Sequence, residues 1–192
     1  MLKNISLKSS LWLLGIISIL GVTLLSLSSV WHAYHSKEIT LGFVDQRIAL
    51  SQSATSAYAQ GLQIGQALRN ILLDPSNKRA YENYAVANDE FSKMIDKLLP
   101  LLSKNAEGNE VANRLKTKIG LWQPLQKEVL ELLKSGNGQQ ALALLVAKET
   151  PTWRSLRDEL LNLVKHSEAA AVQDRGALLG GFDNSRNLAI ML

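Results

Sequence analysis

Residues 61–91 read GLQIGQALRNILLDPSNKRAYENYAVANDEF, and this stretch decides the fold. Before the break, Gly61, Ile64, Leu68 and Ile71 recur at steps of three and four, the spacing that gathers side chains on one face of an α-helix. After it, Tyr81, Tyr84, Asn88 and Phe91 do the same. Between them stands Asp74-Pro75-Ser76-Asn77. Pro75 disfavours helical backbone at Asp74, and Asp, Ser and Asn are side chains that cap a following helix. Two amphipathic helices joined by so short a link predict antiparallel neighbours.

The pattern extends in both directions. Upstream the stripe continues through Phe43, Arg47, Leu50, Ala54 and Ala57, a core face interrupted by one arginine. Downstream it runs through Ile95, Leu98 and Leu102, with Pro100 expected to kink the helix near its end. Asn105-Ala106-Glu107-Gly108-Asn109 reads as a second break. A third stripe follows as Val111, Leu115, Lys118, Trp122, Leu125, Val129 and Leu132, and Gly136-Asn137-Gly138 stops it. Asn137 with Gln140 makes a weak N-cap pair for a short helix over Gln139–Lys148. Thr150-Pro151 is then expected to start the last helix, with Thr as cap and Pro as first helical residue. Its stripe is Trp153, Leu156, Leu160, Leu163, Ser167 and Ala170. No strand-like alternation occurs. The predicted fold class is all-α, a membrane-anchored antiparallel up-down-up-down four-helix bundle.

The anchor is the segment Leu11–Val30, LWLLGIISILGVTLLSLSSV, inside a stretch from Ser9 to Ser36 without Asp, Glu, Lys or Arg. About twenty residues at 1.5 Å rise span roughly 30 Å of hydrocarbon. Trp12 and Trp31 flank it, where indoles favour the membrane boundary, and Lys3 and Lys8 precede it. The positive-inside rule keeps Met1 in the cytoplasm. A cleaved signal peptide is the competing reading, but no A-x-A site follows, and Ser26, Ser28 and Ser29 run into bulky Trp31 and Tyr34. The expected organisation is a cytoplasmic 1–10, a span over 11–30, an extracytoplasmic bundle over 31–184, and over 185–192 the start of a truncated second span. That last expectation rests on Asn187-Leu188-Ala189-Ile190-Met191-Leu192, either a fragmentary span or an apolar helix end.

Composition narrows the chemistry. The 192 residues carry a net charge of +4, 46% apolar and 20% charged side chains, with no cysteine. Zero cysteines exclude disulfides, iron–sulfur clusters, thiolate zinc sites and cysteine nucleophiles. Interleaved charge without a basic block argues against nucleic acid as a partner. No phosphate loop, G-x-S-x-G or H-E-x-x-H is present, so no enzyme activity and no cofactor are expected. His32 and His35 share a helical face, but beside Trp31 and Tyr34 they read as interfacial packing, not as a metal site. His166 reads as a solvated side chain.

Arginine placement is more informative. Arg69 lies beside the core stripe near the far end of its helix. The last helix starts at the same end, so Arg154 and Arg157, about three and six residues into it, fall at that level, with Arg79, Tyr81 and Tyr84 opening the second helix there. Guanidinium forks bind carboxylates in pairs, so a small organic anion suits such a ring. Equally physical is neutralisation of the arginines by Asp74, Glu82, Glu149, Asp158 and Glu159 in surface pairs worth little. Arg69 is expected to be buried with no fixed acid beside it, since the acids nearby lie on exposed loops and caps, and a buried arginine so placed needs an anion. Gly61 and Gly65 permit close helix approach, within the bundle or across a dimer.

The whole chain resembles the N-terminal transmembrane and ligand-binding region of bacterial methyl-accepting chemotaxis proteins. The resemblance is most specific over Gly65-Gln66-Ala67-Leu68-Arg69-Asn70-Ile71-Leu72-Leu73-Asp74-Pro75, followed by Lys78, Ala80, Tyr81, Glu82 and Asn83. Ser135-Gly136-Asn137 with Ala141, and Arg186-Asn187-Leu188, match more weakly. What the resemblance implies is a homodimeric inner-membrane receptor with its bundle in the periplasm. It would signal through a second span to a HAMP linker and a cytoplasmic hairpin that docks a histidine kinase and adaptor, parts this chain lacks. Arg69, Asn70, Arg79, Tyr81, Arg154 and Arg157 are the candidate ligand contacts. The same kind of bundle also serves histidine kinases and cyclic-dinucleotide enzymes, and a tethered bundle binding a protein partner is the remaining alternative.

Overall fold

In a computed structural model of the protein, the backbone is described for residues 7–103 and 106–191, and side chains for 8–29, 31, 35, 46–103 and 106–176. Helices α1 (Leu7–Gly42), α2 (Ala49–Leu73), α3 (Lys78–Leu102), α4 (Ala106–Lys134), α5 (Gly138–Leu144) and α6 (Thr150–Met191) account for nearly all of it. Two π-helical segments, Phe43–Ile48 and Leu145–Glu149, join α1 to α2 and α5 to α6. No strand occurs among the described residues. The chain divides into two compact units, one of residues 1–42 with 178–192 and one of residues 43–177.

In the first unit, Lys8–Ser29 forms 22 helical residues that are apolar enough to cross a membrane. At 1.5 Å per residue they extend about 33 Å, the thickness of a hydrocarbon core. Trp12, Leu14, Ile19 and Leu24 all point outward, which suits lipid and not a protein core. Trp31 stacks on His35 at a 5.6 Å centroid distance, so that histidine packs as the sequence suggests. The side chains of His32 and Tyr34, and those of the expected second span, lie outside the described residues.

The second unit is the bundle. Asp74 leaves the helix in an extended conformation ahead of Pro75, and its carboxylate accepts from the Ser76 N–H and hydroxyl. Asn77 then caps α3 by accepting from Ala80 N at 3.1 Å. At the other hairpin Gly136 takes φ +76°, Gly136 N donates to Leu133 O and Asn137 N to Leu132 O. That double closure is a Schellman motif, which needs a residue free to adopt left-handed backbone. Both turns sit at one end of the unit. At the opposite end an Arg47–Asp174 ion pair ties the start of the first bundle helix to the end of the last. Midway, one aromatic layer joins all four helices. Phe91 of α3 meets Trp122 of α4 edge-on at 5.4 Å, Trp122 stacks on Trp153 of α6 at 4.7 Å, and Trp153 presses against Gly61 of α2.

Three expectations need correction. The second break is shorter than expected: α4 begins at Ala106, so Glu107, Gly108 and Asn109 are helical. The third stripe is one position out of phase at three places, because Ala112, Gln126 and Leu133 are buried where Val111, Leu125 and Leu132 were expected. Most consequentially, Thr150-Pro151 opens α6 but is no free, capped helix start, because the π segment runs into it without a break. Thr150 has helical backbone (φ −62°, ψ −43°) and its N–H bonds back five residues to Leu145 O. The wide π turn makes room for the Pro151 ring, whose clash with an upstream carbonyl would otherwise break a regular helix. The fourth bundle helix therefore begins at Gly138. Asn137 stands at its N-cap position, but its side chain makes no capping bond.

Candidate functional site

The early start of the fourth helix rearranges the expected arginine ring. Arg154 and Arg157 lie sixteen and nineteen positions beyond Gly138, about 24 and 28 Å down the axis from the turns. Arg154 is exposed, one residue past the Trp153 that faces Gly61. Arg157 is half-buried and bonds its own neighbour Asp158 at 2.7 Å. Neither joins Arg69, Asn70, Arg79 and Tyr81, which stay within about two turns of the Asp74–Asn77 link. Of these Arg69, Asn70 and Arg79 are exposed, and Tyr81 packs half-buried against the core. The burial expected for Arg69 is corrected too. Its guanidinium folds back along the helix, so that a methyl group on Gly65 would sit 3.1 Å from Nη1. An acid does stand in range: the charge of Arg69 acts on Glu149.

Glu149 was expected among exposed caps and is instead 2% exposed. The cause is the π segment. Ala141, Leu145, Glu149 and Trp153 are buried at successive steps of four. In a regular helix each such step drifts about 40° off the core face, and the wider π turn cancels the drift. The carboxylate is thereby driven inward, where Trp122 Nε1 donates to Oε1 at 2.7 Å and Thr150 Oγ1 donates to Oε2 at 3.2 Å. Burial pushes its pKa up, and the two hydrogen bonds and the Arg69 charge pull it only part of the way back. Nearby, the Tyr84 hydroxyl donates to Gln126 Oε1 at 3.0 Å. Burial and the Glu149 charge hold that phenol above its usual range. Gln126 is 0% exposed and its Nε2 has no hydrogen-bond partner. Turning the amide over would only move the orphan to the oxygen.

The unit thus holds a buried polar cluster within the field of a surface arginine. The arginine is one the sequence singled out; Glu149, Gln126 and Trp122 as polar partners were missed. The signal was the run of four-residue steps from Ala141 to Trp153. At the opposite end of the unit lies a cleft of about 550 Å³ lined by Arg47, Leu50, Leu102, Arg114, Glu159 and His166. Most of its ionic groups are already matched, Arg47 to Asp174, and Glu159 to both Arg114 at 2.9 Å and Lys118 at 3.0 Å, while Glu107 also lines it. His166 lines this cleft and is exposed. Among the described residues no group of three acids and histidines gathers as a metal site.

The described residues thus define the class as an all-helical bundle protein, its bundle preceded in sequence by an apolar helix long enough to span a membrane. More particularly, residues 4–176 match the four-helix-bundle sensory module for signal transduction, and the chain belongs to that family. The family is a sensory module, not a catalytic domain. No curated protein and no solved structure matches the chain.

Proposed function

We propose that the chain is the sensor region of a homodimeric transmembrane chemoreceptor. Its apolar α1 is held in the inner membrane, its bundle faces the periplasm, and a small organic anion docks at Arg69. Occupancy is passed along α6 to cytoplasmic HAMP and kinase-control parts outside this chain. One observation carries the ligand class: Arg69 is exposed and, among the described residues, is in no ion pair, while the carboxylate within its field, Glu149, is held by Trp122 and Thr150. A guanidinium so placed keeps its fork available to a carboxylate from solution.

Thermal unfolding of the full chain in detergent, with acetate, succinate, citrate or benzoate against a chloride control, tests the proposal. At about 100 times its dissociation constant a bound anion adds roughly 2.7 kcal/mol of stability. Arg69→Ala is expected to abolish the gain and leave the apo fold intact. Arg157→Ala, and Arg47→Ala some 33 Å down the same helix, are expected to retain it. No stabilisation by any of the four anions, or full stabilisation of Arg69→Ala, would refute the anion site.

A further inference from the structure

Glu149 is not a required feature of an anion site; a buried carboxylate opposes one. It faces the aromatic layer from the end of a π turn. The groups around it are Arg69 from α2, Tyr84 from α3, Trp122 from α4 and Thr150 on its own strand of helix, with Lys148 exposed one position before it. Trp122 and Thr150 are neutral donors that satisfy both carboxylate oxygens and leave its charge uncompensated. Geometry places a cation there: Arg69 Nη1 folds back to Gly65, one turn from the Gly61 that Trp153 covers, and Glu149 is likewise one turn from Trp153, so the field of Arg69 reaches it.

Resting on the Arg69 anion site proposed above, we infer that Glu149 is a tethered internal carboxylate that competes with the incoming anion for Arg69, and so sets the affinity of the site and couples its occupancy to the π segment. The coupling follows from linkage. Two anions sharing one cation weaken each other's hold, and the effect is equal in both directions. Ionised Glu149 draws the guanidinium inward over Gly65 and repels an external carboxylate. A bound external carboxylate withdraws the Arg69 field and leaves the ionised Glu149 more costly to keep in a core of low polarity. The charge is relieved by uptake of one proton from solvent onto Glu149, giving the neutral acid. Either way the disturbance falls on the last residue of Leu145–Glu149, the irregular turn of the fourth bundle helix.

Isothermal titration of the full chain in detergent with acetate, succinate, citrate and benzoate, each in two buffers of different ionisation enthalpy, tests the inference. Wild type is expected to take up protons on binding. Glu149→Gln keeps an acceptor for Trp122 and is expected to bind about fivefold tighter or more, without proton uptake. Arg69→Ala/Glu149→Gln is expected not to bind. If Glu149→Gln binds with wild-type affinity while Arg69→Ala loses binding, the tethered-competitor role is overturned and the anion site stands. If no anion binds wild type or Glu149→Gln, or if the double variant still binds, the anion site itself falls. Should Glu149→Gln fail to fold, wild-type proton uptake decides: binding with none overturns the competitor role.

Discussion

Trp122 Nε1 lies 2.7 Å from Glu149 Oε1, and neither residue is more than 2% exposed. The indole thus spends its one donor on a carboxylate contributed by another helix, inside the aromatic layer that the four helices share. Trp122→Phe keeps most of that ring's volume but orphans a buried acceptor. Loss of about 1–3 kcal/mol is expected in urea unfolding at neutral pH. The loss should shrink at acid pH, where the carboxyl is protonated. An equal loss at both would mean that ring packing alone explains it.

Glu149 and Glu159 give stability opposite pH dependences. Burial pushes Glu149 up, so the folded chain binds its proton more tightly than the unfolded chain. The stability from that group is fully present at low pH and falls as pH rises from the ordinary carboxylate range through the folded midpoint. For Glu159 burial also acts upward, but hydrogen bonds and charge from Lys118 and Arg114 outweigh it and hold the carboxyl low. Its contribution is present above the unfolded midpoint and is lost as pH falls through the folded one. Glu149→Gln should therefore flatten the decline on the rising-pH side, and Glu159→Gln the loss on the acid side. Unfolding free energies measured across a pH series distinguish the two; identical profiles would contradict both assignments.

Gly61 and Gly65 sit one turn apart on a buried face and should respond differently to alanine. A methyl at Gly61 meets the Trp153 indole, a rigid ring stacked on Trp122. Overpacking of this kind costs about 1–3 kcal/mol. At Gly65 the neighbour is the tip of Arg69, which can swing away. There the helix propensity of alanine is expected to leave stability unchanged or raised by up to about 1 kcal/mol. Denaturation midpoints of the two variants provide the check, and equal destabilisation would place Arg69 in a fixed packing role.

Tyr84→Phe removes the partner of Gln126 and leaves both ends of a buried amide unsatisfied, for an expected loss of about 1–3 kcal/mol. Adding Gln126→Met should recover most of it, since replacing both partners by apolar groups of similar size is close to neutral. A double variant no more stable than Tyr84→Phe would show that the amide makes interactions beyond the Tyr84 hydroxyl.

The hairpin of Gly61–Phe91 was legible because its caps are local chemistry: Asp74, Ser76 and Asn77 act through bonds to their own neighbours. Arg69 was legible as a residue beside the core stripe, but not its fold back over Gly65 or its charge acting on Glu149, which lies far off in sequence. The fourth helix was misplaced because Thr150-Pro151 carries the local signature of a helix start. That preference is overridden by the packing of Leu145, Glu149 and Trp153 against the rest of the bundle. Gln126 was hidden by the apolar Leu125 beside it, which fits an ideal stripe equally well. Polar residues that the fold buries at a cost leave little trace in periodicity.

The π turn also carries slack. Thr150 N–H reaches back to Leu145 O, one residue further than in an ordinary helix, so the fourth helix contains one residue more than a straight rod of its length. Tightening that turn would rotate everything beyond it by about 100° and draw it about 1.5 Å along the axis. In the tightened form Lys148, now exposed, takes the inward place that Glu149 holds. The hydrogen bond from Trp122 to Glu149 belongs to the wide turn alone, so it holds the fourth helix in the register that keeps the extra residue.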